Sequence, residues 1–251
     1  MTMTAPDVTV VLPAHNEVAL LGSTVTNLCT GLDARGEDYE ILVVENGSRD
    51  GTLRLARLLS AQIERVRVLA LPVGNYGSAL AAGFRSARGR YVVNFDVDYY
   101  DLAFLDSALA LLRSGEAELV LASKRAPGAS DRRPPVRRVL TYGFANLSKL
   151  LVGLGVTDAH GMKAVRREAL APVVARCVTA GSVFDVEMVV RSEQAGLRIR
   201  EVPASVVERR SPRTPVARRS LESLVGLLSL RRALRRDPAS RAPRSGRARA
   251  S

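Results

Sequence analysis

Short runs of β-branched and aliphatic residues alternate with amphipathic helical patterns through the first half of the chain. The predicted strands are residues 8–12, 40–44, 66–71, 91–95 and 118–122. The predicted helices between them are residues 18–32, 51–62, 77–87 and 102–113. Strands that return to one sheet through a helix form right-handed βαβ units. The alternation therefore predicts an α/β fold with a doubly wound, mostly parallel sheet and helices on both faces.

The second half of the chain is less regular. A loop is predicted at 124–138, helices at 136–154, 168–176 and 182–194, and strands at 161–166, 197–202 and 205–208. We expect one domain over residues 1–210, followed by a basic amphipathic helix at 211–236. Residues 237–251 form an Arg-rich tail with almost nothing to bury, which predicts disorder.

The composition is that of an ordinary globular protein, with 47% hydrophobic and 25% charged residues in 251. These values argue against global disorder and against an integral membrane protein. Cys29 and Cys177 lie in apolar helical patterns without CxxC spacing, which excludes a cysteine-based zinc site and suits a reducing compartment. The first seven residues lack a basic segment followed by an apolar one, so we expect no signal peptide and a cytoplasmic location.

The net charge of +12 is concentrated at the C-terminal end. Residues 1–208 carry 24 basic against 23 acidic side chains, whereas residues 209–251 carry 13 against 2. Such a basic extension favours an anionic partner, either lipid or nucleic acid. Trp is absent and no Phe or Tyr follows Phe184, which argues against nucleic acid because stacking on bases needs aromatic side chains.

Two aspartates follow directly on the strand predicted at 91–95, in the sequence Asp96-Val97-Asp98. Ligands of open α/β sheets bind at the carboxyl ends of strands. Two carboxylates about 4 Å apart repel by roughly 4 kcal/mol at an effective dielectric of 20, so a cation between them is favoured. Oxygen ligands indicate Mg²⁺ or Mn²⁺ shared with a diphosphate. The alternative is a solvated acidic turn that caps the helix at 102–113.

Carboxylates also follow the first two predicted strands, at Glu17 and Glu45. These loops form the crevice of a doubly wound sheet, where a nucleotide offers base and ribose donors to a carboxylate. The alternative is that Asn16 and Asp50 cap helices and that the two Glu side chains complement helix dipoles.

Taken together, the motifs resemble family 2 of the glycosyltransferases, and most closely the dolichol- and polyprenyl-phosphate mannosyl- and glucosyltransferases. The resemblance covers about residues 8–210. The segments that carry it are Leu12-Pro13-Ala14-His15-Asn16-Glu17, Val44-Glu45-Asn46-Gly47-Ser48-Arg49-Asp50-Gly51-Thr52, Asn75-Tyr76-Gly77-Ser78-Ala79-Leu80, Asp96-Val97-Asp98, Ser123-Lys124-Arg125, Asp158-Ala159-His160-Gly161-Met162-Lys163 and Phe184-Asp185-Val186-Glu187.

The resemblance implies the GT-A nucleotide-sugar-binding fold and a set of site residues. Asp96 and Asp98 would bind the metal, and Asp98, Asp158 and Arg125 would be catalytic. The residues implied to bind the nucleotide-sugar are Pro13, Asn16, Glu17, Glu45, Gly47 and Asp96. Two departures from the family pattern are Asn46, where a second acidic residue is usual, and the pair Tyr99-Tyr100 after the metal motif.

The implied reaction is inverting transfer of a hexose from GDP- or UDP-hexose to a polyprenyl phosphate, with the metal neutralising the leaving diphosphate. A phosphate acceptor is mostly a dianion at neutral pH and needs cationic side chains more than a base. An alternative acceptor is a soluble or glycan hydroxyl, which requires a carboxylate base: Asp158 first, then Asp185 and Glu187. An alternative of a different class is a catalytically inactive basic nucleic-acid-binding module.

The C-terminal helical pattern carries Leu227, Leu230 and Leu234 between Arg clusters. The stretch from Arg219 to Arg231 is about 18 Å long as a helix, against about 30 Å for a bilayer core. The helix can therefore lie on the cytoplasmic face of a membrane but not cross it. The alternatives are packing on the domain's own core and a dimer seam.

Overall fold

The computed structural model describes residues 5–131, 135–206 and 216–237. Its strands, labelled in chain order, are β1 (Val8–Ala14), β2 (Tyr39–Asn46), β3 (Val66–Leu71), β4 (Tyr91–Asn94), β5 (Leu119–Ser123), β6 (Ser130–Asp131), β7 (Lys163–Arg166), β8 (Ile199–Pro203) and β9 (Ser205–Val206). Its helices are α1 (Val18–Asp33), α2 (Thr52–Gln62), α3 (Tyr76–Ser86), α4 (Leu102–Arg113), α5 (Pro135–Val152), α6 (Arg167–Arg176), α7 (Phe184–Gln194) and α8 (Val216–Arg236). A 3₁₀ turn at Gly181–Val183 precedes α7.

Seven strands form one sheet in the order β3-β2-β1-β4-β7-β5-β8. All neighbouring pairs are parallel except those of β7, which runs antiparallel to both β4 and β5. The predicted mostly parallel sheet is confirmed. The chain moves outward from β1 to β3 and then returns to place β4 on the other side of β1, so the switch point of the sheet lies between β1 and β4.

Helices cover both faces of this sheet, as predicted. Along β1, Val8, Val10 and Leu12 join one core cluster with residues of α1 and α4. Val11, between them, points to the other face and joins a second cluster built with α3, α6, α7 and α8. Because side chains alternate along a strand, a run that is apolar throughout can fill both cores.

The elements of the second half differ in detail from the expected ones. The loop expected at 124–138 contains the short strand β6, which pairs in parallel with β9, and the first turn of α5. The strand expected at 205–208 is described only as Ser205–Val206, and residues 207–215 lie outside the described residues. The expected tail lies outside them from residue 238 onward.

The C-terminal helix α8 packs on the domain that precedes it. Leu227, Leu230 and Leu234 are buried in the second core cluster. A Cβ at Gly226 would overlap the side chain of Val183, so the helix approaches the 3₁₀ turn closely. Three arrangements were expected for this helix: contact with a membrane, packing on the domain's own core, or a dimer seam. These leucines pack on the domain's own core. No helix in the described ranges is long and apolar enough to cross a bilayer.

Asp237, expected to begin the tail, is part of the ordered structure. Its Oδ2 atom lies 2.9 Å from a guanidinium nitrogen of Arg176 and 2.6 Å from one of Arg191. These two ion pairs connect the end of α8 to α6 and α7. Asp237 therefore packs on the domain and does not begin a tail without contacts.

Candidate functional site

The residues predicted to bind the nucleotide-sugar meet at one edge of the sheet. Asn16 and Glu17 follow β1, Glu45 ends β2 with Gly47 just beyond, and Asp96 follows β4. Because β1 lies between β2 and β4, all three loops border the switch point. The sequence prediction that these side chains share one crevice agrees with this arrangement.

Direct contacts hold the first two loops together. His15 donates a hydrogen bond from Nδ1 to the carbonyl oxygen of Asn46 at 2.6 Å. The backbone N–H of Asn16 donates to Ser48 Oγ at 2.9 Å, and Asn16 Oδ1 accepts from the backbone N–H of Arg49 at 2.9 Å. Asn16 has φ +56°, a conformation that asparagine tolerates better than most residues. Its side chain thus connects two loops and does not cap α1.

Gly47 is required by its surroundings as well as by its backbone. Its φ is +65°, and a Cβ there would lie 2.7 Å from the backbone nitrogen of Gly74. The loops after β2 and β3 therefore approach more closely than a larger residue would allow. This contact fixes the wall of the crevice opposite β4.

Pro13 and Glu45 are both buried where β1 and β2 end. Glu45 is 2% exposed, and its Oε1 atom accepts a hydrogen bond from the backbone N–H of Ser48 at 2.6 Å. Pro13 lies beyond the last β1–β4 pair, Val11 with Asn94, so its missing N–H removes no ladder hydrogen bond there.

Asp50 caps helices, as the alternative interpretation of this segment expected. Its Oδ1 atom accepts from the backbone N–H of Thr52 at 3.1 Å, at the start of α2. Its Oδ2 atom accepts from the backbone N–H of Val18 at 3.2 Å, at the start of α1. One carboxylate therefore stabilises two helix N-termini beside the crevice.

The segment Asp96-Val97-Asp98 forms a closed turn. The backbone N–H of Asp96 donates to the carbonyl oxygen of Tyr99 at 3.0 Å, and that of Tyr99 donates to the carbonyl oxygen of Asp96 at 3.1 Å. Thr24 Oγ1 donates to the carbonyl oxygen of Val97 at 2.7 Å and so fastens the turn to α1. Two aspartates are thereby held on either side of a buried valine.

Neither of these aspartates caps the following helix. That task belongs to Asp101, whose Oδ1 atom accepts from the backbone N–H groups of Ala103 at 2.8 Å and Phe104 at 3.2 Å. Asp98 makes no side-chain hydrogen bond or ion pair with any residue in the described ranges. The acidic-turn interpretation therefore accounts for Asp101 but not for Asp96 and Asp98.

The two aspartates fit a divalent cation. Desolvation, followed by the nearby charge of Asp98, raises the pKa of Asp96 to about 6, although a hydrogen bond from Tyr76 opposes the shift. A cation would remove this repulsion. The described residues contain no group of three or more His, Cys, Asp or Glu side chains that could hold a metal ion on its own. Two carboxylates completed by substrate phosphates and water are a usual protein contribution to a Mg²⁺ site.

We expect divalent-ion binding to weaken as the pH falls through about 6, the pKa of Asp96. Only the carboxylate form binds the ion, so the affinity falls about tenfold per pH unit below the pKa. Because the fold raises the pKa of Asp96 from 3.8 to about 6, the metal-free protein loses stability as the pH rises between these two values. A bound ion offsets this loss. Titration of Mn²⁺ by electron paramagnetic resonance (EPR) from pH 5 to 8 measures the effect. Equal affinity at both ends of the range would contradict it.

A second cluster lies across the sheet, at the end of β5. Lys124 Nζ is 3.0 Å from Asp158 Oδ2, and the backbone N–H of His160 donates to Asp158 Oδ1 at 3.0 Å. Burial is the largest single influence on Asp158, which is 3% exposed, and acts to raise its pKa, but the charge and hydrogen bond of Lys124 together with His160 outweigh burial and leave the pKa below its ordinary value. A carboxylate held in this way is a weak base. Its ionic partner is Lys124, whereas Lys163 pairs with Asp185.

Arg125, the third predicted catalytic residue, is half-buried beside this cluster. Its guanidinium lies 4.4 Å from the ring centroid of Tyr142 on α5, and one of its N–H groups donates to the carbonyl oxygen of Thr157 at 3.2 Å. These contacts orient a cation beside Lys124. They also connect the loop after β5 with α5.

Both further candidates for a base are buried in structural contacts. Asp185 Oδ1 lies 2.9 Å from Lys163 Nζ, although it accepts no well-aligned hydrogen bond, and each side chain is at most 4% exposed. Glu187 is fully buried, 2.7 Å from Arg191 Nε, and accepts hydrogen bonds from the backbone N–H groups of Val178 and Thr179. Asp185 therefore connects α7 to β7, and Glu187 stabilises α7 and the loop before it.

Sequence reasoning missed Tyr76 and Thr24, which contact the aspartate turn. The hydroxyl of Tyr76 donates to Asp96 Oδ1 at 3.1 Å. The sequence position of Tyr76 could have indicated this contact. Tyr76 is the first residue of the helix after β3, so it lies at the edge of the sheet where the other candidate site residues lie. Thr24 lies inside α1, where only the tertiary structure reveals its contact with Val97.

The chain matches a family model and curated relatives. Residues 9–173 match the model of glycosyl transferase family 2. The undecaprenyl-phosphate mannosyltransferase of Micrococcus luteus is 31% identical over 79% of this chain and 83% of that protein. The polyprenol monophosphomannose synthase of Mycolicibacterium smegmatis is 31% identical over 80% of this chain and 77% of that protein. Glycosyltransferase AglD of Haloferax volcanii is 32% identical over 80% of this chain, which spans only 33% of AglD.

Solved structures share the fold. Glucosyl-3-phosphoglycerate synthase of Mycobacterium tuberculosis, in complex with Mn²⁺, uridine diphosphate and glucosyl-3-phosphoglycerate, superimposes with a TM-score of 0.68 at 22% identity. The match covers 90% of this chain and 80% of the synthase. The same enzyme has been solved with Mg²⁺ and uridine diphosphate, at a TM-score of 0.66 and 21% identity. From its family match and its relatives, this chain belongs to glycosyl transferase family 2.

Proposed function

We propose that the protein transfers a hexose from GDP- or UDP-hexose to a polyprenyl phosphate, with inversion at the anomeric carbon. The choice of acceptor is based on the ion pairing of the three candidate bases, Asp158, Asp185 and Glu187. Each is held in a close ion pair with a basic side chain. A hydroxyl acceptor needs a base to remove its proton, whereas a phosphate dianion does not. The relatives named for undecaprenyl phosphate and polyprenol support the same acceptor class.

The donor side of the proposed reaction lies along β1, β2 and β4. Asp96 and Asp98 would hold Mg²⁺ or Mn²⁺, which supplies positive charge to the departing diphosphate. The buried Glu45 and the neighbouring Glu17 and Pro13 would line the nucleoside pocket. Asn16 and Gly47 shape the loops around that pocket through the contacts described above.

The acceptor side lies at the end of β5. Asp158 neutralises part of the charge of Lys124 and positions its ammonium group. Arg125 remains a cation whose orientation is fixed by Tyr142 and Thr157. A guanidinium can bind a phosphate through two parallel hydrogen bonds, so Arg125 is the residue we assign to the acceptor phosphate.

The outer faces of α5 and α8 would contact the cytoplasmic face of the membrane that contains the acceptor. The two helices pack side by side and both cover the second core cluster, so their outer faces lie on one side of the molecule. α5 contains no acidic residue, and α8 ends in two pairs of arginines. Anionic lipid attracts such a surface by about 1 kcal/mol per basic residue. Among the described side chains, the exposed large apolar residues of α5 and α8 are Val139, Leu140, Tyr142, Leu150, Leu224, Val225 and Leu228.

Phase partition tests the acceptor directly. The full chain is incubated with Mn²⁺, radiolabelled GDP-mannose or UDP-glucose, and polyprenyl phosphate in anionic vesicles. We expect label to enter the organic phase as an acid-labile glycosyl phosphate, and none to enter when the lipid lacks its phosphate. Label that remains in the aqueous phase with both donors, while the donors are consumed by a glycan acceptor, would contradict the assignment.

The same assay tests the membrane surface. Leu150 is 80% exposed on α5 and Val225 is 56% exposed on α8. We expect the double substitution Leu150→Asp with Val225→Asp to lower the vesicle rate about tenfold, because it removes apolar contact and adds repulsion. The rate with detergent-dispersed acceptor should not change. Leu58→Asp is the matched control, since Leu58 is 52% exposed on α2, over the opposite face of the sheet. An equal loss in vesicles and detergent would contradict the surface assignment.

A further inference from the structure

The hydroxyl of Tyr76 contacts one of the two aspartates from outside their own turn. It donates to Asp96 Oδ1 at 3.1 Å. Tyr76 is the first residue of α3, which follows β3, whereas Asp96 follows β4. Two separate loops therefore meet at a single carboxylate oxygen.

The backbone that carries Tyr76 is fixed on both sides. The preceding residue, Asn75, donates its backbone N–H to Asn46 Oδ1 at 2.8 Å. The side chain of Asn75 accepts from the backbone N–H groups of Ser78 at 3.0 Å and Gly181 at 2.9 Å. On the other side, a Cβ at Gly77 would lie 2.5 Å from the carbonyl oxygen of Gly181, so the chain segments are in close contact. The hydroxyl is thus held on a rigid support.

A carboxylate without such a contact can rotate about two side-chain bonds. The hydrogen bond from Tyr76 fixes Asp96 Oδ1, while Thr24 fixes the backbone of the same turn at Val97. Asp98, the other aspartate of this turn, has no side-chain partner among the described residues. A preorganised ligand loses less conformational freedom when an ion binds.

We propose that Tyr76 is a positioning residue for the cation site, orienting Asp96 so that its second oxygen and Asp98 bind the ion together. The proposal rests on the metal assignment of the proposed function and adds a residue to it. It predicts that the loss of one hydroxyl weakens ion binding while the fold and nucleotide pocket remain.

The test is a titration of the full chain with Mn²⁺, in which EPR measures the bound ion. The titration is done with GDP or UDP, whichever raises the thermal midpoint of the protein more. We expect Tyr76→Phe to weaken Mn²⁺ binding about tenfold, because a hydrogen bond to a charged group is lost. The KM for Mn²⁺ should rise by the same factor, with kcat at saturating Mn²⁺ changed by less than about twofold. The thermal midpoint should remain near that of the wild type.

Tyr39→Phe is the matched control. Tyr39 also loses a hydrogen-bonded hydroxyl, 3.1 Å from Asp33, but it lies at the opposite end of β2 from the site. We expect its Mn²⁺ affinity to be unchanged. If Tyr76→Phe binds Mn²⁺ as tightly as Tyr39→Phe, while Asp98→Ala does not bind it, this proposal is wrong and the metal site stands. If the wild type binds no Mn²⁺ with either nucleotide, both the proposal and the metal assignment are wrong.

Discussion

Replacement of Asp98 with alanine is expected to lower turnover by at least about a thousandfold, with the fold intact. Asp98 lies on a turn fixed by Thr24 and by two backbone hydrogen bonds, and its carboxylate has no structural partner in the described ranges. Its removal therefore costs the fold little and removes half of the proposed protein ligand set. Turnover of labelled nucleotide-sugar at saturating Mn²⁺, together with circular dichroism, measures both effects.

Asp101→Ala is the control for this prediction. Asp101 lies three residues further along and caps α4 through two backbone N–H groups. Its loss should lower the free energy of unfolding by about 1 kcal/mol and leave turnover within a few fold of the wild type. If Asp98→Ala retained activity in a chelator, the metal role of this turn would be wrong.

Replacement of Glu187 with alanine is expected to have the largest effect on stability. Its carboxylate is fully buried, ion-paired to Arg191 and hydrogen-bonded to the loop that precedes the 3₁₀ turn. Removal of one partner of a buried ion pair costs about 3–5 kcal/mol, and Arg191 would keep only the more exposed Asp237 as an ionic partner. The same arginine binds Asp237, so the contact between α7 and the end of α8 should weaken too. Denaturant unfolding measures the loss.

Glu168→Ala provides a comparison for Glu187→Ala. Glu168 is an exposed carboxylate in the first turn of α6, and its removal should cost less than about 1 kcal/mol. A Glu187→Ala protein with wild-type stability but no turnover would show that Glu187 acts in the reaction. That result would also revive the hydroxyl acceptor, since it would identify a base.

The order of elements could be predicted from the sequence because local patterns determine it. Apolar runs such as 8–12 and 91–95 are buried on both faces, and the helices between them follow helical periodicity. The direction of β7 could not be predicted in this way. Its four residues pair with β4 and β5, which precede it by many residues, and nothing within Lys163–Arg166 specifies an antiparallel arrangement.

The sequence also indicates where the candidate site lies, since strand ends meet at one edge and Asp96 and Asp98 follow a strand. Most of the ion pairs that distinguish structural carboxylates from those able to bind a ligand could not be predicted from the sequence. Lys124 and Asp158 are 34 residues apart, and their contact depends on the tertiary fold. Glu187 and Arg191 are an exception, because their i, i+4 spacing on a predicted helix already indicates a pair.

The orientation of α8 could not be predicted from the sequence either. Its apolar residues recur with helical periodicity on more than one face, and this periodicity does not determine which face packs on the domain. Leu227 and Leu230 face the core, while Val225 and Leu228 face outward. The observed orientation brings Gly226 into close contact with Val183 of the 3₁₀ turn, a contact that depends on the tertiary structure.

The location of a divalent ion in a crystal of the full chain tests the metal assignment most directly. Crystals grown with Mn²⁺ and GDP or UDP are measured at the manganese absorption edge. If Asp96 and Asp98 bind the ion, an anomalous peak will lie within coordination distance of both, in contact with the diphosphate. A peak elsewhere, or a bound nucleotide with no manganese beside these aspartates, would contradict the metal assignment.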